Sequence, residues 1–121
     1  MPHTWVGSDL VNAVRQMIVQ EEAPRLALLK GVPERWVTEG DGLRVERLPT
    51  HYGPLHLRAQ QFERILTVRL AGALNPPGGL EVYWPRAGAP SDVTVNGQPW
   101  KDFDARRARV PAGTREIVAR W

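Results

Sequence analysis

Residues 43–70 read LRVERLPTHYGPLHLRAQQFERILTVRL. Within this stretch, Leu43-Arg44-Val45-Glu46-Arg47-Leu48 and Leu66-Thr67-Val68-Arg69-Leu70 set apolar residues against charged or polar ones at a period of two. That is the pattern of strands with one buried and one solvated face. Leu43 to Leu48, Gly53 to Arg58 and Ile65 to Leu70 are therefore expected strands. Downstream, Leu80 to Trp84, Val93 to Val95 and Glu116 to Trp121 read the same way. Turn chemistry separates them: Asn75-Pro76-Pro77-Gly78-Gly79, then Pro85 to Pro90, then Asn96-Gly97, the strongest short hairpin signal in the chain. Short strands without intervening helices predict a mainly β fold, an antiparallel β-sandwich.

Upstream of Pro24 the period is 3.6. Leu10, Val11, Val14, Met17 and Ile18 gather on one face of an amphipathic helix expected over residues 8 to 20, with Ser8 as N-cap. Glu21 and Glu22 stand where the helix dipole disfavours them, and Pro24 forbids continuation. Such a short helix must bury its apolar face against something. Either it lies across an open face of the sheet or it is the last helix of a helical domain. The expected division is residues 1–24 as the helical part and 25–121 as the sandwich. Arg25 to Leu29 is a short apolar run, and Pro33-Glu34-Arg35-Trp36-Val37 is expected to form a single helical turn. Ile117 to Trp121 would suit the C-terminal strand of a longer protein.

Composition narrows the function classes. The chain has 121 residues and no cysteine, which excludes disulfides, Cys-ligated zinc and thiol chemistry. No apolar run approaches the roughly 20 residues of a membrane-spanning helix. The N-terminus lacks the basic head and apolar stretch of a signal peptide, and the compartment stays open among periplasmic, extracellular and cytoplasmic. The net charge of +3 and pI near 9.9 invite a nucleic-acid reading. Yet all basic residues but Lys30 and Lys101 are arginines scattered along the chain, the one tight cluster being Arg106-Arg107-x-Arg109. Scattered arginines that alternate with apolar neighbours describe solvated strand faces, so no nucleic-acid partner is expected.

The catalytic inventory is thin. His3, His51 and His56 show no metal-ligand spacing, and neither Ser8 nor Ser91 sits in a nucleophile motif. Gly78-Gly79 precedes a strand rather than a helix, so no phosphate-cradling loop is formed. Glu21, Glu22, Glu34, Glu39, Asp41, Asp102 and Asp104 lie mostly in turns without the paired spacing that glycoside hydrolysis needs. No catalytic residue, metal or cofactor is expected. Aromatics are the remaining candidates. Among five tryptophans, Trp84 and Trp100, with Tyr83, are candidates for stacking against sugar rings, and the alternative for each is packing between elements.

The motif order resembles the C-terminal segment of bacterial glycoside hydrolases built on an (α/α)6 barrel, in the manner of the α-L-rhamnosidases. The resemblance is carried by Leu10-Val11-x-x-Val14-Arg15-x-Met17-Ile18, Leu26-Ala27-Leu28, Gly31-Val32-Pro33-x-x-Trp36, Leu48-Pro49-Thr50-His51-Tyr52-Gly53-Pro54-Leu55, Pro77-Gly78-Gly79-Leu80 and Val93-Thr94-Val95-Asn96-Gly97. It covers the chain from about residue 8 onward. Leu57-Arg58 stands where such domains carry a tryptophan after the Tyr-Gly strand.

The resemblance implies a non-catalytic accessory domain that packs against a helical catalytic barrel, whose carboxylates would lie outside this chain. It makes Leu10, Val11, Val14, Met17 and Ile18 the helix docking face. Thr50, His51, Tyr52 and Gly53 would form the docking or cleft-edge loop, or simply the turn leading into a strand. Two alternatives stand beside it: a carbohydrate-binding module using exposed tryptophans, and a small protein that pairs with a second copy of itself through its helix.

Overall fold

A computed structural model describes residues 13–121 of the chain. Residues 13–18 are helical (α1) and run directly into β1 (Val19–Glu22), which turns through Ala23-Pro24 into β2 (Arg25–Leu28). One helical turn, α2 (Arg35–Thr38), precedes β3 (Leu43–Thr50), β4 (Gly53–Phe62) and β5 (Ile65–Ala71). There follow β6 (Leu80–Tyr83), β7 (Asp92–Val95), β8 (Gln98–Pro99), β9 (Arg107–Val110) and β10 (Glu116–Arg120). These strands form a four-stranded sheet, β1-β2-β6-β9, packed on a six-stranded one, β3-β4-β5-β10-β7-β8.

The period-two pattern explains the packing. In the six-stranded sheet Leu57 faces Leu70, Ala59 faces Val68, and Val68 faces Ile117. In the four-stranded sheet Leu28 faces Val19 on one side and Val82 on the other, and Val82 faces Ala108. All of these residues are essentially inaccessible and belong to one continuous core. Burial of whole leucine and valine side chains, about 1.5–3 kcal/mol each, is what holds the two sheets together. The mainly β sandwich is thus as expected, and so are the strands read in residues 43–70 and the helical turn at α2.

Four details differ from the sequence reading. First, α1 ends at Ile18 rather than near Gln20, because Val19 to Glu22 pair with β2. The carbonyls of Met17 and Ile18 accept the N–H groups of Gly31 and Leu29 (3.1 and 2.7 Å), a tertiary capture that outweighs helix propensity. The β1–β2 hairpin consequently straddles residue 24. Second, β2 and β6 pair in parallel, so the sandwich is not wholly antiparallel. Third, β4 continues to Phe62 and meets β5 through Glu63-Arg64 alone. Fourth, Arg107 to Val110, within the arginine cluster, is a strand at the edge of the four-stranded sheet.

The apolar face of α1 is turned inward. Ile18 is buried in the core, and Val14 and Met17 pack half-buried against it. Leu10 and Val11 lie outside the described residues.

The Asn96-Gly97 hairpin forms as read, with β7 and β8 joined by these two residues at φ of 51° and 81°. The Asn96 side chain adds a clamp that sequence did not announce. Its Oδ1 accepts the N–H groups of Arg115 and Glu116 (2.8 and 3.0 Å), tying the hairpin to β10. Asn96→Ala removes both bonds and places an alanine at positive φ. The expected cost is on the order of 2 kcal/mol, read as a lower urea midpoint; an unchanged midpoint would show that the clamp contributes nothing.

Candidate functional site

β6 runs through the middle of the four-stranded sheet, and its outer side carries charge. Leu80 and Val82 face the core; Glu81 and Tyr83 face away from it, yet Glu81 is only 5% exposed. A carboxylate held out of water needs partners, and it has them. Arg25 Nη1 donates to Glu81 Oε1 (2.9 Å), and the Tyr83 hydroxyl donates to Oε2 (3.1 Å). Arg107 Nη1 donates to the Tyr83 hydroxyl (3.1 Å), while its Nε lies 3.1 Å from Oε2 as an ion pair without a directed hydrogen bond. The Tyr83 ring sits beside two cations, Lys30 Nζ at 5.3 Å and the Arg107 guanidinium at 5.5 Å from its centroid. Burial works against the charge on Arg107, and the Glu81 carboxylate with Tyr83 outweighs it, so the guanidinium titrates above its ordinary value.

Beside this network lies an open cleft of about 510 Å³. Arg25, Glu81, Asp102 and Arg109 supply its polar groups, Trp100 its aromatic surface, and Pro76 to Gly79 one wall. Trp100 is positioned by both sheets. Its backbone N–H donates to Val93 in β7 and its indole N–H to the Arg109 carbonyl in β9, both at 2.9 Å. The indole thus bridges the sheets at the open edge of the sandwich. Asp102 pairs with Arg109 (3.4 Å). Asp104, two residues on, accepts the N–H groups of Arg106 and Arg107 (2.8 and 3.0 Å), which hold its carboxyl below the ordinary 3.8.

The predicted stacking residues divide. Tyr83 and Trp84 are buried, at 7% and 8% exposure, and present no free ring face. The Trp84 indole N–H donates to the Asp104 carbonyl (3.0 Å), and its ring meets Trp121 edge-on at 5.6 Å. The ion network covers Tyr83 on the outer side of β6, and Trp84, just past the end of the strand, packs into the core, so both residues are enclosed. Trp100 alone of the three lines the cleft, half-buried.

Thr50, His51, Tyr52 and Gly53 lie at the β3–β4 turn and do not line it. The Thr50 hydroxyl donates to the Gly53 carbonyl and accepts the Tyr52 N–H. Gly53 sits at φ 120°, where a Cβ would come within 2.7 Å of the Ala73 carbonyl oxygen. The turn is also fastened to the N-terminal segment: Arg15 donates to the Pro49 carbonyl, and Glu21 accepts the His51 N–H (2.8 Å).

Sequence reasoning missed Glu81, Arg25, Arg107 and Arg109. The signal was a lone acid inside the apolar run Leu80-Glu81-Val82-Tyr83, which a solvated strand face does not explain once both neighbouring strands are in place. Among the described residues no group of three or more His, Asp or Glu is placed to hold a metal ion. No helix there is long and apolar enough to cross a membrane. Compared with known proteins, the chain matches no family model, and no curated protein or solved structure matches it significantly.

Two outcomes are expected here. Glu81→Ala leaves Arg107, whose side chain is 25% exposed, without its carboxylate, and should cost about 3–5 kcal/mol in chemical denaturation. Glu81→Gln, which keeps an acceptor, should cost less; equal losses would mean that the charge alone carries the effect and the retained acceptor adds nothing. The lowered pKa of Asp104 gives stability that is complete above the unfolded value and lost as pH falls through the folded one. The stability gap between the wild type and Asp104→Ala should therefore be widest near neutral pH and close on acidification; a gap independent of pH contradicts it.

Proposed function

We propose that the chain is a non-catalytic accessory β-sandwich of a glycoside hydrolase-like protein, packed beside a helical catalytic barrel. The observation that carries this reading is the fastening of α1 to the sandwich. α1 enters β1 with no linker, Ile18 joins the core, and Arg15 and Glu21 grip the Pro49–His51 edge. A helical body continuous with α1 would be held at a fixed angle over that turn, which suits the docking role expected for Thr50 to Gly53. The acids of the cleft support the non-catalytic half. Glu81 and Asp102 are each engaged by arginine, so they are not the free pair that glycoside hydrolysis requires. The purified chain should release no aryl leaving group from a panel of aryl glycosides; authentic turnover, abolished by Glu81→Gln, overturns the reading.

One observation favours a second role, carbohydrate binding. Trp100 stands in an open cleft among Arg25, Asp102 and Arg109, where planar charged groups can hydrogen-bond hydroxyls while the indole packs on a sugar face. With Tyr83 and Trp84 buried, this role rests on Trp100 alone. A pull-down on insoluble neutral polysaccharides should lose the chain on Trp100→Ala, with the circular dichroism spectrum retained. Unchanged retention removes the cleft from consideration. Self-association through the helix draws no support from Val14, Met17 and Ile18, which already pack against the chain's own core.

A further inference from the structure

The outer face of the six-stranded sheet brings together arginines that are far apart in sequence. Arg44 in β3 is directly opposite Arg58 in β4, and Arg58 is directly opposite Arg69 in β5. Strands lie about 4.8 Å apart, so three guanidinium stems leave the sheet in one row about 10 Å across. The outer two have carboxylates: Arg44 pairs with Glu46 (2.6 Å) and Arg69 with Glu116 (3.1 Å). Arg58, between them, pairs with no acid among the described residues. Like charges directly opposite one another destabilise a sheet, and a solvated face gives no reason to align three.

The row also has shape. A depression of about 400 Å³ lies beside it, with Arg44, Glu46, His56, Arg58 and Arg69 on its walls. Two backbone features form its far side. A bulge between Val45 and Leu48 sets Glu46 and Arg47 against the single residue His56, with Arg47 at φ 55°. The Arg47 N–H points at His56 Nδ1 (3.4 Å), which leaves Nε2 to carry the ring proton as a donor. Gly72, at φ 96°, leaves room for the imidazole, since a Cβ there would lie 3.0 Å from His56 Cδ2. A second, smaller depression of about 120 Å³ continues along the face past Arg58 and Arg69 to Gln60 and Thr67, with Asp41 also on its wall. Beyond these, about 13 Å from Arg58 along β4, stand Phe62 at 74% exposure and its cross-strand neighbour Ile65 at 41%.

From this placement we propose that the face binds an acidic polysaccharide, with its carboxylate or sulfate groups on Arg44, Arg58 and Arg69 and a sugar ring against Phe62. The row supplies forked donors for oxyanions, Gln60 and Thr67 supply hydrogen bonds for hydroxyls, and the exposed aromatic supplies a platform for ring C–H groups. A track of this length suits a linear polymer better than a single small anion. The choice of a saccharide rests on the carbohydrate reading above, whereas the anion site stands on its own geometry.

The test is calorimetric titration of the full chain with oligoalginate (carboxylates), dextran sulfate (sulfates), neutral dextran, inorganic sulfate and a single-stranded oligonucleotide of matched charge. At least one acidic saccharide should bind, with an affinity that falls as salt rises. Arg58→Gln should weaken it by about tenfold or more without lowering the melting temperature, because the substitution relieves repulsion within the row. Phe62→Ala should weaken it as well, and Trp100→Ala, in the other cleft, should not. The proposal is overturned if Arg58→Gln binds as the wild type does, if neutral dextran binds the Trp100→Ala variant as tightly as the acidic saccharides do, or if the oligonucleotide binds more tightly. It is overturned too if inorganic sulfate binds as tightly and Phe62→Ala changes nothing. Turnover of aryl glycosides would sink the accessory reading and leave this site untouched.

Discussion

Strand side chains alternate between the two faces of a sheet, and the rest of this molecule depends on that constraint. Where Leu57 meets Leu70 inside the sandwich, the next pair along, Arg58 and Arg69, must meet outside. Where Leu80 and Val82 reach the core, Glu81 and Tyr83 must leave it. Burial of the inner faces supplies the stability, and it fixes register so tightly that outer residues have no choice of neighbour. The chemistry of the protein is the by-product of that register, displayed on two opposite surfaces.

The two surfaces handle charge differently. On the four-stranded sheet Glu81 is enclosed by Arg25, Arg107 and Tyr83, so its carboxylate is partnered within the chain and the members lock one another in place. Removing one member strands the others, which gives that network a structural role and leaves Trp100, Asp102 and Arg109 as the accessible part of the cleft. On the six-stranded sheet charge is left over. Arg44 and Arg69 have exposed carboxylate partners, which contribute little and exchange easily, and Arg58 has none among the described residues. A surplus of aligned cations on a rigid sheet is the arrangement that an external anion can use.

Much of the fold was legible in the sequence. The alternation in Leu43 to Leu48 and Ile65 to Leu70, and the Asn96-Gly97 turn, report local physics that the tertiary structure keeps. The end of α1 was not legible, because Val19 is withdrawn from the helix by pairing with Leu28 across a hairpin that no local pattern announces. Nor was the joint burial of Tyr83 and Trp84, which depends on neighbours drawn from β2 and β9, Arg107 among them, and on Lys30 from the loop after β2. The arginine row was the least legible of all. Its members look scattered in sequence and align only because the Glu46–Arg47 bulge and the two-residue Glu63-Arg64 connection bring β3, β4 and β5 into step. Scatter along the chain was a true observation; scatter in space did not follow from it.

Since everything rests on register, the most direct measurement is the pattern of cross-strand nuclear Overhauser contacts in the isotopically labelled chain. Backbone contacts are expected from Arg58 to both Arg44 and Arg69, with Leu57 in contact with Val45 and Leu70. A slip of one residue, setting Arg58 against Val45 or Leu70, would turn the arginines toward the core side and contradict the account.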